Sequence, residues 1–165
     1  MDRLILLRHG KAEAESDSGE DFDRRLAARG AEATAATAAR LAGLGLVADL
    51  VLVSPAARTR ETWVAAQPAS PKAGVRFEDD LYHADSTEIW AIAERAGADA
   101  GTVMVVGHNP GIQELSARLL IEAHAPAAAI AKVTRGFPTA AAVAFQIDAA
   151  GRPVFEGLVF PERGE

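Results

Sequence analysis

A short apolar run near the start of the chain ends abruptly in polar residues, and this pattern limits the folds that the chain can adopt. Residues 4–7 are Leu-Ile-Leu-Leu, and Arg8, His9 and Gly10 follow directly. The run is too short for a buried helix and is typical of a buried parallel strand. Open α/β sheets bind ligands at the carboxyl ends of such strands. We therefore predict a strand that carries Arg8 and His9 to a ligand site, although surface residues closing a strand would also explain this tripeptide.

Two more apolar runs predict buried strands at residues 49–54 and 102–107. Ser54-Pro55 follows the first run, and His108-Asn109-Pro110 follows the second. Serine and asparagine are favoured at the N-cap of a helix, and proline is favoured at the first helical position. A helix is therefore predicted to begin at each of these two places, with its amide groups facing the end of the preceding strand.

Arg58 falls in the first turn of the helix predicted after Ser54, from which it can reach the end of that strand. The alternative is an ordinary charged helix surface, with Glu61 as the partner of the arginine. Arg24 presents a similar choice, because it can either lean over the strand ends or pair with neighbouring acids. We expect the acids of the polar segment 11–25 to form a solvated face.

The other patterns complete an α/β architecture. Small or apolar residues recur along a helix predicted at 28–44, namely Gly30, Ala33, Thr37, Leu41 and Leu44. A second helix is predicted at 86–96, capped by Ser86, and a short strand at 75–77. Strands at 139–147 and 153–159 flank a turn at 148–151, which predicts an antiparallel hairpin at the sheet edge. An Ala/Pro-rich connector carries His124, which we expect to be inert. The predicted fold is a three-layer α/β/α sandwich with a mainly parallel sheet.

Length and composition narrow the class of protein. The chain has 165 residues, of which 49% are hydrophobic, so we expect residues 1–165 to form a single domain. The chain has no cysteine, so a thiolate nucleophile or thiolate metal site is excluded. The net charge of -6 argues against nucleic acid as a partner. Neither a membrane-span run nor a signal-peptide pattern is evident, so we expect a cytoplasmic protein without a membrane partner.

Four of the polar residues can converge, because the ends of parallel strands lie along one edge of a sheet. Arg8 and Arg58 can hold phosphate oxygens, and helix amino termini add amide donors. His9 and His108 would place imidazoles in the same pocket, where one can act as a nucleophile on phosphorus. Arginines can neutralise the charge of a transferring phosphoryl group, and the chain lacks a P-loop and a His-Glu-x-x-His motif. We therefore predict a site without metal or cofactor.

Together these motifs resemble the histidine phosphatase superfamily, which has the phosphoglycerate-mutase-like fold, and in particular its small SixA-type phosphohistidine phosphatases. The resemblance is carried by the motifs Arg8-His9-Gly10, Ser54-Pro55-x-x-Arg58 with Thr62, Gly107-His108, Arg24 before Leu26, Arg29-Gly30, Leu81-Tyr82 and Phe137-Pro138-Thr139. It implies that His9 is the phosphorylated nucleophile, that Arg8 and Arg58 clamp the phosphate, and that His108 is a phosphate ligand. Arg24 and Asn109 are further candidates for substrate binding.

One departure from the family concerns the general acid. Larger members carry a glutamate just after a leucine like Leu81, where this chain has Tyr82 and His83. Other candidates for the acid are Glu78, Asp79, Asp80 and Asp85. A site without a strong acid suits a leaving group that protonates readily, such as the nitrogen of phosphohistidine.

The expected partner is accordingly a phosphorylated protein such as a histidine phosphotransfer domain. Two alternatives stay open. One is a phosphatase for a small phosphomonoester or for a phosphoserine or phosphothreonine protein. The other is a non-catalytic phosphate-binding regulatory module.

Overall fold

A computed structural model describes residues 1–162 and contains one six-stranded sheet. The strands are β1 (Arg3–Arg8), β2 (Leu50–Val53), β3 (Gly74–Phe77), β4 (Thr102–Gly107), β5 (Ala142–Ile147) and β6 (Pro153–Val159). The helices are α1 (Ala28–Gly43), α2 (Ala57–Ala66), α3 (Ser86–Ala96), α4 (Gly111–Glu122) and α5 (Ala127–Arg135). Short 3-10 turns lie at Asp21–Asp23, Gln67–Ala69 and Asp79–Leu81. Within residues 1–162, no helix is long and apolar enough to cross a membrane.

The sheet is parallel in its centre and antiparallel at one edge. Its strand order is β3-β2-β4-β1-β5-β6. The pairs β1–β4, β4–β2 and β2–β3 are parallel, whereas β5 runs antiparallel to both β1 and β6. The predicted mainly parallel sheet with an antiparallel hairpin at its edge is confirmed.

Alternation along β1 divides the core into two layers. Leu4 and Leu6 pack on the side covered by α3, α4 and α5, whereas Ile5 and Leu7 pack on the side covered by α1 and α2. All four side chains are fully buried, as expected for a central parallel strand covered on both faces. The predicted three-layer α/β/α sandwich is therefore confirmed.

Strand register brings the polar ends of the central strands together. Arg8 pairs with Gly107 across β1 and β4, and Val53 pairs with Val106 across β2 and β4. The next residues along the chain therefore emerge at the same edge of the sheet, which is the edge where open α/β folds place ligands.

The predicted helix starts at Ser54 and Asn109 are wrong. The N–H of Ser54 still pairs with the carbonyl of Val106 as an extension of β2, so α2 begins only at Ala57. The Asn109 side chain does accept a hydrogen bond from an amide of α4, that of Gln113 at 3.2 Å, but the helix begins at Gly111. For α3, the capping side chain is Asp85 and not Ser86.

Two other local predictions also fail. The connector after α4 contains a helix, α5, whose Val133 is buried against the core. Leu44 is 61% exposed, because α1 ends at Gly43 and Leu44 lies beyond the helical face that packs on the sheet. The small-residue face itself is confirmed, since Gly30, Ala33 and Thr37 are buried.

Candidate active site

His9 follows β1 directly and is 8% exposed. Its Nδ1 lies 2.8 Å from the carbonyl oxygen of Gly10. A carbonyl oxygen can only accept, so Nδ1 carries the proton and Nε2 of the neutral ring holds a lone pair. Burial lowers the pKa of His9 to about 4, and the charges of Arg58, Arg8 and Arg24 lower it as well. His9 is therefore neutral near pH 7, with a nucleophilic Nε2.

Close backbone packing fixes the turn that carries His9. A Cβ atom at Gly10 would lie 2.6 Å from the carbonyl oxygen of Gly30 in α1. The N–H of Gly10 donates to the hydroxyl of Thr62 at 3.0 Å, and this hydroxyl donates to the carbonyl of Arg58 at 2.7 Å. Glycine at position 10 therefore allows α1 to approach the turn, while α2 holds it through Thr62.

The two arginines lie close enough to affect each other. Arg58, in the first turn of α2, is 7% exposed, and Arg8 ends β1. Arg8 donates from Nη1 to the carbonyl of Phe137 at 2.9 Å, and its buried Nε has no partner within residues 1–162. Burial lowers the pKa of Arg8, and the charge of Arg58 lowers it further. Two neighbouring guanidinium groups, one with an unpaired buried donor, are suited to binding an oxyanion.

His108 lies one residue beyond β4, and its ring centroid is 5.3 Å from that of His9. Its Nε2 is 2.7 Å from the hydroxyl of Ser54. Its buried Nδ1 has no hydrogen-bond partner in the described part of the chain. Burial lowers the pKa of His108 to about 3, and the nearby His9 and Arg58 also lower it. The structure thus brings all four principal candidates, Arg8, His9, Arg58 and His108, to one place.

Asp21 is a component of the site that the sequence analysis missed. Its carbonyl and carboxylate accept hydrogen bonds from Arg58 at 2.9 and 3.1 Å, and the carboxylate accepts another from Tyr82 at 2.6 Å. The Tyr82 hydroxyl, Arg24 and Arg58 hold the pKa of Asp21 well below its usual range, so the carboxylate is charged. The expectation that the acids of segment 11–25 form only a solvated face is wrong for Asp21.

Arg24 belongs to the rim of the same cluster. Its Nη1 pairs with Asp21 Oδ1 at 2.9 Å, and its Nε donates to the carbonyl of Glu13 at 2.8 Å. The charge of Arg24 also contributes to the lowered pKa of His9. Arg24 thus pairs with a neighbouring acid, which was one alternative from the sequence. It also lies near the strand ends, which was the other alternative, because this acid contacts Arg58.

The candidates for a general acid differ in whether they reach the site. Tyr82 reaches the site, with its ring centroid 5.6 Å from that of His108, and His83 packs 4.1 Å from Tyr82. Asp85 caps α3 by accepting from the N–H of Glu88 at 2.9 Å. The three remaining acids make no side-chain hydrogen bond or ion pair within residues 1–162, namely Glu78, Asp79 and Asp80.

Asn109 uses both ends of its side-chain amide for protein contacts. Its Nδ2 donates to the carbonyl of Phe137 at 3.0 Å, and its Oδ1 accepts from the N–H of Gln113. Arg8 donates to the same Phe137 carbonyl. Asn109 therefore helps to position the segment beside Arg8, and its contact with a substrate stays a prediction.

The arrangement combines a neutral imidazole with a neighbouring pair of guanidinium groups. The charged groups around His9 are the guanidinium groups of Arg8, Arg24 and Arg58. The Asp21 carboxylate pairs with Arg58. In the described residues, no three His, Asp or Glu side chains form a cluster that could hold a metal ion. Such a site can bind a tetrahedral oxyanion and attack it with an imidazole nitrogen.

Comparison with known proteins identifies a family model and several relatives. The model of the histidine phosphatase superfamily (branch 1) matches residues 4–88. An uncharacterized chloroplastic protein of Arabidopsis thaliana is 31% identical over 170 residues, which cover 97% of this chain and 78% of the relative. An uncharacterized protein of Mycobacterium tuberculosis is 31% identical over 133 residues, covering 81% of this chain and 82% of the relative.

Several solved structures of other proteins have the same fold as this chain. The proposed phosphohistidine phosphatase SixA of Agrobacterium tumefaciens is 30% identical, with a TM-score of 0.83 and coverage of 97% of this chain and 98% of that one. Its counterpart from Nakamurella multipartita, also a proposed phosphohistidine phosphatase SixA, is 30% identical, with a TM-score of 0.81 and coverage of 97% and 96%. A phosphoglycerate mutase of Plasmodium falciparum shares the fold at 17% identity, with a TM-score of 0.63 and coverage of 99% and 96%.

Proposed function

The chain belongs to the histidine phosphatase superfamily, and from this premise we propose that it is a metal-independent phosphatase that carries the phosphoryl group on Nε2 of His9. Its proposed substrate is phosphohistidine on a protein. The observation that carries the proposal is the hydrogen bond between Nδ1 of His9 and the carbonyl of Gly10. This hydrogen bond leaves the lone pair on Nε2, and the lowered pKa of the ring keeps Nε2 unprotonated.

In the first step, Nε2 of His9 attacks phosphorus and forms a P–N bond. The P–N bond of the substrate breaks, and its electron pair goes to the leaving imidazole, which takes up a proton from solvent. In the second step, water attacks phosphorus, the bond to His9 breaks, and inorganic phosphate leaves. The proton that water loses goes to solvent, and His9 returns to its neutral form.

Arg8 and Arg58 bind the oxygens of the transferring group. Their charges stabilise the negative charge that these oxygens share in the transition state, which is the task that a metal ion performs in other phosphatases. His108 contacts the same group through Nδ1, its unpartnered ring nitrogen. To bind both guanidinium groups, the phosphoryl group must share Arg58 with Asp21 or displace it.

The substrate class follows from the leaving group and from the relatives. Of the candidate acids, Tyr82 contacts the cluster, but burial and the Asp21 carboxylate raise the pKa of its hydroxyl, which makes it a weak proton donor. An imidazole leaving group protonates readily and does not need a strong acid. The two SixA proteins that are 30% identical to this chain are proposed phosphohistidine phosphatases. The proposed partner is therefore a phosphorylated protein such as a histidine phosphotransfer domain.

A turnover assay with a phosphohistidine peptide tests the proposal. We expect hydrolysis that a chelator does not change, that His9→Ala abolishes and that Arg58→Ala slows about 100-fold or more, because a contact to developing charge is lost. His124→Ala is the matched control, since His124 is an exposed histidine beyond α4. It should retain full activity.

Other outcomes would separate the alternatives. Full activity of His9→Ala would contradict the proposed intermediate. A strong preference for alkyl phosphates over phosphohistidine would favour a small phosphomonoester or a phosphoserine or phosphothreonine protein as the substrate. Binding of phosphopeptides without any turnover would favour a regulatory module.

A further inference from the structure

A groove of about 560 Å³ opens beside the proposed phosphate site. Arg8 lines it together with Asn109 before α4, with residues of α4 and α5, and with the segments that follow α5 and β6, among them Lys132, Arg135, Phe137 and Phe160. We call it the α5 groove. Arg8 belongs to both the groove and the candidate active site, so a molecule bound at one place lies next to the other.

Within residues 1–162, the cations of the α5 groove have no carboxylate partners. Lys132 and Arg135 lie in the last turn of α5, are exposed, and form no ion pair within residues 1–162. The Nζ atom of Lys132 lies 4.5 Å from the ring centroid of Phe160, where the aromatic face can stabilise its charge. With Arg8, they form a cationic patch on a chain of net charge -6.

A rigid hydrogen-bonded segment connects this patch to the phosphate site. The carbonyl of Phe137 accepts from Arg8 at 2.9 Å and from Asn109 at 3.0 Å. Gln113 donates to the carbonyl of Val133 at 2.9 Å, which ties α4 to α5 near its cationic end. The position of Lys132 and Arg135 relative to Arg8 is therefore fixed by the fold.

We infer that the α5 groove binds acidic side chains of the phosphoprotein whose phosphoryl group is presented to His9. This inference rests on the proposed function and adds a recognition site to it. Charge complementarity supports an acidic occupant, because the groove is cationic while the chain as a whole is acidic and repels acidic partners elsewhere. The exposure of Lys132 and Arg135 favours a protein surface over a small second phosphate, which would be largely enclosed by its pocket.

Cations in the last turn of a helix also stabilise that helix, so the test must separate this effect from recognition. Arg95 provides the matched control, because it is an exposed cation in the last turn of α3 and does not line the groove. Arg95→Gln and the double variant K132Q/R135Q both remove helix-terminal charge, but only the second changes the groove.

The experiment compares kcat/KM for two phosphohistidine peptides that differ only in their flanking residues, aspartates in one and asparagines in the other. We expect the starting protein to prefer the acidic peptide roughly five- to tenfold, and added salt to reduce the preference. K132Q/R135Q should bring the ratio close to one, whereas Arg95→Gln should keep it. General damage to the protein lowers both rates and leaves the ratio unchanged.

Equal rates with the two peptides, or an unchanged ratio in K132Q/R135Q, would overturn the inference. If neither peptide is hydrolysed, the proposed function fails, and the ratio of Kd values for the same peptides carrying a non-hydrolysable phosphohistidine analogue tests the groove independently. A preference for small bisphosphates over monophosphates that depends on Lys132 and Arg135 would assign the groove to a second phosphate and contradict the acidic-protein occupant.

Discussion

His9 and His108 occupy equivalent positions on neighbouring parallel strands, but their ring nitrogens are used in opposite ways. Each lies one residue beyond the paired residues Arg8 and Gly107. His9 binds the backbone through Nδ1 and leaves Nε2 available, whereas His108 binds the Ser54 hydroxyl through Nε2 and leaves Nδ1 without a partner. The difference teaches that the local hydrogen bond, and not the place in the sheet, separates the proposed nucleophile from the proposed phosphate ligand.

The largest effect should come from exchanging the two imidazoles for amides one at a time. His9→Gln removes the proposed nucleophile, so turnover and the covalent intermediate should both disappear. His108→Gln removes only a contact to the transferring group, so the intermediate should still form on His9, about 100- to 1000-fold more slowly. Single-turnover kinetics with a phosphohistidine peptide distinguish the two variants. A folded His108→Gln protein that forms no intermediate would show that the two histidines do not differ as proposed.

Acid should destabilise the protein through both histidines. Their folded-state pKa values, about 4 for His9 and about 3 for His108, lie below the unfolded value of about 6.5. Between these values the unfolded chain binds more protons, so stability rises with pH and is lost as pH falls from 6.5 towards 4. Each histidine should lower the free energy of unfolding by about 2 kcal/mol between pH 7 and pH 5.

Urea unfolding at pH 7 and pH 5 measures this loss. The double variant H9Q/H108Q should lose much less stability between the two pH values, because its amides do not titrate. The same pH dependence in the variant and the starting protein would contradict the lowered pKa values of the two rings.

Ser54→Ala tests what orients His108. The substitution removes the hydroxyl partner of Nε2 and leaves a buried ring nitrogen unpaired, so kcat/KM should fall about tenfold while the chemistry at His9 continues. Ser116→Ala is the matched control, because Ser116 is also buried but its hydroxyl donates only to the carbonyl of Ile112 within α4. Equal losses of activity in the two variants would indicate a general effect of losing a buried hydroxyl.

The smallest change is expected at Asp21. Its carboxylate pairs with Arg58 and would compete with a phosphate oxygen for that guanidinium group, so Asp21→Asn should remove this competition and lower the inhibition constant of inorganic phosphate about threefold. Asp23→Asn, in the same 3-10 turn, should leave it unchanged, since Asp23 bonds to Ser18. Weaker inhibition in Asp21→Asn would indicate that the carboxylate holds Arg58 in place for phosphate.

The ends of the central strands were predictable because each apolar run is followed directly by polar residues. The buried runs before Arg8, Ser54 and His108 predict strands, and one sheet edge follows from the parallel order. The roles of Ser54 and Asp21 were not predictable, since Ser54 forms a tertiary hydrogen bond in place of the local cap that its type favours. Asp21 lies in a polar segment without periodicity, and its contact with Arg58 joins residues 37 positions apart.

The helix α5 was missed for a different reason. Its sequence is dominated by alanine and is only nine residues long, and Ile130 and Val133 are its only large apolar residues, so its apolar spacing is limited to this one pair. Pro126 before the alanine-rich stretch was the available signal for its start. Since α5 carries Lys132 and Arg135, the α5 groove could not be inferred from the sequence either.

The most direct test of the account is to identify the atom that carries the phosphoryl group. The protein is mixed with a phosphohistidine peptide, quenched in base within one turnover and examined by mass spectrometry and phosphorus NMR. We predict one phosphoryl group on Nε2 of His9, stable in base and labile in acid, and absent from His9→Ala. Phosphorylation of Nδ1 or of another residue, or turnover without any covalent intermediate, would contradict the account.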